Sequence, residues 1–120
     1  MKSILKIKEN RDFRRAYAKG KSYVSPYIVV YILKNRSNDI RLGITTGKKI
    51  GKAVSRNRSK RLITAAFTQC LPYIQKGYDF VIVARPRILT VKSNVVADSL
   101  AKLLKTTEIF SQSEQKWKIF

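Results

Sequence analysis

Seven consecutive apolar residues, Tyr27-Ile28-Val29-Val30-Tyr31-Ile32-Leu33, set the first limit on how this chain folds. The run is β-branched and aromatic, so it reads as a strand that is apolar on both sides. It is the longest apolar run, and it falls far below the roughly 18 residues of a membrane-spanning helix. Asn35-Arg36-Ser37-Asn38-Asp39 follows as a turn. Ile40 to Thr46 is then the next strand, expected to pair with the first as an antiparallel hairpin.

The rest of the chain alternates between two periods. Residues 9–19 form a short amphipathic helix, with Phe13, Ala16 and Tyr17 on one face and Gly20 as its C′ residue. Residues 55–71 take helical period, with Ser55 as N-cap. Tyr78 to Arg85 is a third strand, stopped at Pro86, and a loop over 86–89 leads into a helix from Thr90 to Lys105. Val95, Val96, Leu100, Leu103 and Leu104 are its core stripe. The tail 106–120 has no clear period and is expected to fray, with Trp117 and Phe120 as the residues that would tuck onto the body. The order α-β-β-(basic loop)-α-β-α predicts a small two-layer α+β sandwich in one domain of 120 residues. The strands beginning at Ile40 and Tyr78 flank a helix and are expected to lie parallel in one sheet.

Charge is the second limit. Twenty-six cations face seven carboxylates, a formal +19. Such self-repulsion weakens an isolated fold and is relieved by a polyanion. Nucleic acid is the leading candidate, and an anionic membrane surface a weaker one. The excess peaks in Lys48-Lys49-Ile50-Gly51-Lys52-Ala53-Val54-Ser55-Arg56-Asn57-Arg58-Ser59-Lys60-Arg61, which holds seven cations in fourteen residues and no carboxylate. A merely solvated face usually mixes signs, because like neighbours repel.

At 100° per residue, Arg58 and Arg61 point away from the stripe of Leu62, Ile63, Ala66, Phe67, Cys70 and Leu71. Arg56 and Lys60 fall on the stripe's side but N-terminal to it, so they must project past the packed region. Helix stability alone would favour Asp or Glu there. A phosphate, in contrast, is well served by free N–H groups and positive potential. Asn57 adds a donor and an acceptor, while Lys48, Lys49 and Lys52 add reach. Gly47 and Gly51 allow close backbone approach.

Catalytic equipment is sparse. There is no histidine, the commonest general acid–base group and metal ligand. Cys70 is the only cysteine, which excludes an intramolecular disulfide and a multi-cysteine zinc site; it reads as a buried small hydrophobe. The carboxylates are scattered, and no Walker-type loop is present. Met1 to Lys8 lacks the apolar region of a signal peptide, so the chain reads as cytoplasmic.

The segment from Lys48 to Ile63 closely resembles the signature of the bacterial ribonuclease P protein subunit: Arg-Asn-Arg, one variable residue, then Lys-Arg. Agreement extends to Phe13 and Tyr17, to the strand carrying Tyr31 and to the Asp79–Arg85 strand, covering roughly residues 9–105. The resemblance implies an RNA-binding protein that assists a catalytic RNA subunit in removing the 5′ leader of precursor tRNA. Magnesium for that holoenzyme would be held mainly by the RNA, and neither a membrane nor a small-molecule substrate is implied. It also implies a fold like the second domain of ribosomal protein S-five, with the Arg-Asn-Arg helix in an unusual left-handed βαβ crossover. The RNA-subunit contacts it carries over are Lys48, Lys49, Lys52, Arg56, Asn57, Arg58, Lys60 and Arg61. The leader-binding aromatics are Phe13, Tyr17 and Tyr31.

On the residues alone, the favoured role of Phe13 and Tyr17 is to fill core space between helix and sheet; the resemblance favours the leader instead. Two departures stand out. Gly47 replaces the family's usual small hydroxyl residue, and Thr64-Ala65 stands where an arginine and a polar or acidic residue are common. The RNA face is therefore not extended past Arg61. The competing classes are a small ribosomal protein or generic RNA-binding domain, and a protein-only nuclease.

Overall fold

The structure is a computed structural model that describes residues 2–107 together with Ile109 and Phe110. Five strands form one mixed sheet: β1 (Ile4–Lys6), β2 (Lys21–Val24), β3 (Ile28–Lys34), β4 (Ile40–Thr45) and β5 (Tyr78–Ala84). Three helices cover it: α1 (Asn10–Lys19), α2 (Ala53–Cys70) and α3 (Ser93–Lys105). The spatial order of the strands is β1-β4-β5-β3-β2.

The predicted parallel pair is present, with Ile40 opposite Tyr78 and Thr45 opposite Val83. The predicted β3–β4 hairpin is not. β5 lies between those two strands, antiparallel to β3 and parallel to β4. The reason is burial. β5 is the most buried strand, with Phe80, Val81 and Ile82 fully covered, and it takes the centre. The turn at 35–39 then bridges the end of β5 instead of closing on itself. Asn35 N–H donates to Gly77 O at 2.8 Å, and Gly77 N–H donates to Asp39 O at 2.9 Å. A turn signature announces a reversal but does not say which strand fills the gap.

The edge strands β1 and β2 were not expected. Each is short and half wet, with too few apolar residues to show a period of two. β1 nevertheless pairs with β4 in parallel, and β2 pairs with β3 across the Ser25-Pro26 turn. The buried Ser25 Oγ accepts from the N–H groups of Tyr27 and Ile28, which holds that turn.

Alternation along the strands feeds two cores. On one face, Ile28, Val30, Leu42, Phe80 and Ile82 meet Ile63, Ala66 and Phe67 of α2 and Val96, Leu100 and Leu104 of α3. Phe67 and Phe80 meet edge to face at 5.2 Å. Each of the buried Val, Leu, Ile and Phe side chains contributes about 1.5–3 kcal/mol. The other face is covered by α1, through Ala16 and Phe13 against Ile7, Tyr31 and Val81.

This arrangement constrains handedness. β1 and β2 are parallel, since β1 runs with β5 through β4, and β2 and β5 are both antiparallel to β3. The β1–α1–β2 and β4–α2–β5 crossovers move in the same direction along the sheet, but over opposite faces. They therefore have opposite hands, and one of them must break the right-handed rule. The family resemblance assigns that exception to the α2 unit.

Boundaries differ in detail. α2 begins two residues before Ser55, with Lys52 as N-cap and no side-chain cap bond, so Ser55 lies within the first turn. Gly20 does end α1, but with extended backbone, not a left-handed C′ conformation. Its glycine is required by crowding: a Cβ there would sit 2.6 Å from Ala16 O and 3.1 Å from Ile32 O. In the segment read as a tail, Ile109 and Phe110 are buried, and Phe110 bridges to Ile74. Trp117 and Phe120 lie outside the described residues.

Cys70 is fully buried as expected, with its thiol 3.7 Å from Ala97 O. Burial, and secondarily the Asp98 charge, push its pKa from 9.0 up to about 12. The folded thiol will therefore resist an aromatic disulfide reagent at pH 8 and react only as fast as the protein opens. Labelling that is equally rapid with and without denaturant would contradict this packing. The sign for stability follows: this group's contribution is intact below pH 9.0 and is lost as pH rises toward about 12.

Candidate nucleic-acid interface

The basic segment is presented by a short anchored loop. Lys48–Ile50 make one 3-10 turn, pinned by the buried Ile50. Gly51 then redirects the chain into α2 with φ +115°, ψ −144°, a conformation essentially restricted to glycine. Lys48, Lys49 and Lys52 are thereby left exposed. Gly51→Ala should cost about 1–3 kcal/mol and tilt the loop away from α2. Gly47 has nothing within 4 Å of an added Cβ. Gly47→Ser should therefore be neutral in a melting experiment. Equal effects of the two substitutions would show that loop geometry is not set at Gly51.

Along α2, Arg58 and Arg61 are exposed on the outer face, as the helical wheel requires, and Asn57 is exposed beside them. Arg56 is half buried. Ser59 heads the buried stripe, its hydroxyl bonded back to Ser55 O at 3.0 Å. None of the seven cations forms an ion pair among the described residues. The first turn of α2 also contains no acid. Its free N–H groups and its cations therefore face the same solvent.

Lys60 projects past the packed stripe, and the structure shows where. It lines a groove of about 500 Å³ together with Phe13, Arg14 and Tyr17 of α1 and Ile44, Thr45 and Thr46 at the end of β4. β1 pairs only as far as Leu42, so this end of β4 is an open edge that Lys60 reaches around. The groove thus brings one α2 cation, Lys60, to the α1 aromatics Phe13 and Tyr17, while Tyr31 is not in its lining. Its lining contains no carboxylate.

The three aromatics differ in role. Tyr17 is the most open, 39% exposed, and shares a 2.8 Å hydrogen bond with Thr45 Oγ1. Its ring meets Tyr31 edge to face at 4.9 Å. Tyr31 and Phe13 are half buried against Ile7, Ala16 and Val81. Phe13 thus packs the smaller core and also forms part of the groove wall.

One determinant was missed by sequence reasoning. Gly43 of β4 lies under Phe13, where a Cβ would come 2.7 Å from Phe13 Cε1. A lone glycine inside a strand pattern is the signal that marks such close approach.

A small α+β domain with an unpaired cationic helix end, opening onto an aromatic groove, defines a polyanion-binding protein of the nucleic-acid-binding class. Residues 1–108 match the Ribonuclease P family. The chain is 41% identical over 104 residues to the ribonuclease P protein component of Clostridioides difficile, covering 86% of this chain and 91% of that protein. It is 37% identical over 112 residues to that of Caldanaerobacter subterraneus, covering 93% and 97%. Among solved structures it resembles the RNase P protein of Staphylococcus aureus, with a TM-score of 0.77, 36% identity and coverage of 88% and 97%. The RNase P protein of Thermotoga maritima gives 0.76, 34%, 86% and 97%. The chain belongs to the ribonuclease P family as its protein component, and its role is in tRNA processing. The ribosomal and generic RNA-binding readings are not favoured.

Proposed function

We propose that this protein acts without chemistry of its own, binding the ribonuclease P RNA subunit through α2 and its loop and the precursor 5′ leader through the aromatic groove. The observation that carries this reading is the placement of Lys60 in one groove with Phe13 and Tyr17. A strand in that groove stacks its bases on Tyr17 and Phe13, at about 1–3 kcal/mol per base with little sequence preference. Its phosphates meet Arg14 and Lys60. Lys48, Lys49, Lys52, Arg56, Asn57, Arg58 and Arg61 then hold the RNA subunit against the same end of the sheet, which brings the leader to the RNA's active centre.

The RNA supplies the catalytic magnesium in this scheme. Among the described residues no three carboxylate, cysteine or histidine groups converge. Asp12 and Asp79 are both engaged by Arg41, Glu9 by Arg11, and Asp98 by Lys102. Among the described residues no helix is long and apolar enough to cross a membrane. We place the assembly in the cytoplasm, where precursor tRNA is made.

The test is 5′ cleavage of a precursor tRNA at low magnesium, with RNA subunit alone, protein alone, and both. Cleavage is expected only with both, and should fall when the leader is cut to one or two nucleotides. Cleavage by protein alone, or no gain on adding it to the RNA, would overturn the proposal.

A further inference from the structure

The aromatic groove occupies only one flank of α1. The helix crosses the sheet, since it leaves β1 at one edge and enters β2 at the other. On its opposite flank lie two hollows of about 750 and 780 Å³ that share Arg15 and Arg41 in their walls. The second hollow is completed by Lys19 of α1 and by Lys34 and Arg36 at the β3–β4 turn, and no carboxylate lines it.

Its floor is rigid. Arg41 donates to Asp12 Oδ2 at 3.0 Å and to Asp79 Oδ2 at 3.3 Å, and Asn35 Nδ2 donates to Asp79 Oδ1 at 2.9 Å. Asp79 is buried, so its charge is spent on Arg41 and Asn35 and does not reach the hollow's mouth. Lys19, Lys34 and Arg36 are exposed, with no ion-pair partner among the described residues. The solvent-facing ridge between the two flanks carries Arg11, Arg14 and the small Ala18, all exposed. Arg11 is paired with Glu9 and Arg15 with Asp12, whereas Arg14 on the ridge and Lys19, Lys34 and Arg36 beyond it have no ion-pair partner among the described residues.

We propose that the flank formed by Lys19, Lys34 and Arg36 binds phosphates of the distal leader, after the strand has crossed α1 at Ala18. The proposal rests on the reading of the aromatic groove as the leader site. The ridge to be crossed is only one helix wide, about 10–12 Å. Chemistry differs between the two sites. The aromatic groove takes bases, whereas this flank has cations and no aromatic ring in its wall, so it reads backbone charge and no sequence.

The experiment uses holoenzyme reconstituted with the triple variant Lys19→Gln, Lys34→Gln, Arg36→Gln. Its substrates carry leaders of about four and about sixteen nucleotides, the range of ordinary single-strand sites. With the parent protein the longer leader should bind more tightly. The variant should lose that increment, about tenfold, and its salt slope on the long leader should fall by about two. Binding of the short-leader substrate should be unchanged, which also certifies the fold. An increment equal in variant and parent, or absent from both, overturns the proposal. Equal loss for both leaders, or weaker assembly with the RNA subunit, assigns the flank to the catalytic RNA and overturns it as well. Failure of the underlying leader reading is separable: the parent itself would then bind short-leader precursor and mature tRNA alike.

Discussion

Replacing Arg56, Arg58 and Arg61 together by glutamine will lower affinity for the RNA subunit by about a thousandfold at low salt and reduce the salt slope by about three. The same variant will melt no lower than the parent, and by roughly 2–5 °C higher. The two signs have one cause. Four cations crowd the start of α2, whose N-cap makes no side-chain bond and whose first turn has no acid. Arg56 alone lies in the first turn and opposes the macrodipole, and the cations oppose each other, so removing three of them relieves the free protein. In the complex, phosphates reverse that balance. Filter binding across a salt series and thermal melting measure the two effects. A fall in affinity accompanied by a fall in melting temperature would mean that the cations support the fold, and the interface assignment would go.

Gly43→Val will abolish preference for precursor over mature tRNA while leaving assembly with the RNA subunit intact. The new side chain begins 2.7 Å from Phe13 Cε1, 2.9 Å from Phe13 Cζ and 3.2 Å from Ile7 Cβ. The ring cannot stay where it is. Overpacking costs about 1–3 kcal/mol, partly offset by the gain of about 0.5–1 kcal/mol when a strand glycine acquires a side chain. The displaced ring closes the groove wall, so stacking of about 1–3 kcal/mol per base is lost, roughly a five- to hundredfold fall in precursor affinity. Paired titrations of precursor and mature tRNA read the ratio directly. A preserved ratio would show that Phe13 is only core, with the leader bound elsewhere.

Arg41 shows why some of this was legible in the chain and some was not. Arg41 and Asp79 are ordinary strand residues in sequence, with no local pattern to join them. In the fold they are directly opposite on adjacent parallel strands, and Asp12 of α1 closes the cluster. Gly43 is similar: its position inside a strand could be flagged, but its partner Phe13 is thirty residues away. The α2 cations needed no such partner. Their sign, spacing and position relative to the apolar stripe are local facts.

The residue order by itself determined the three helices, the three long strands, the buried Cys70 and the exposed cationic start of α2. Each depends on periodicity over one or two turns, or on a run of like residues, and these act within a few residues of chain. Only the tertiary structure decided that β5 lies between β3 and β4, that β1 and β2 form the edges, and that Lys60 meets Phe13 and Tyr17 in one groove. Those outcomes depend on competition among distant strands for the most buried place in the sheet. β5 won that place because its apolar surface, buried on both faces, removes more area from water than a β3–β4 hairpin left at an edge.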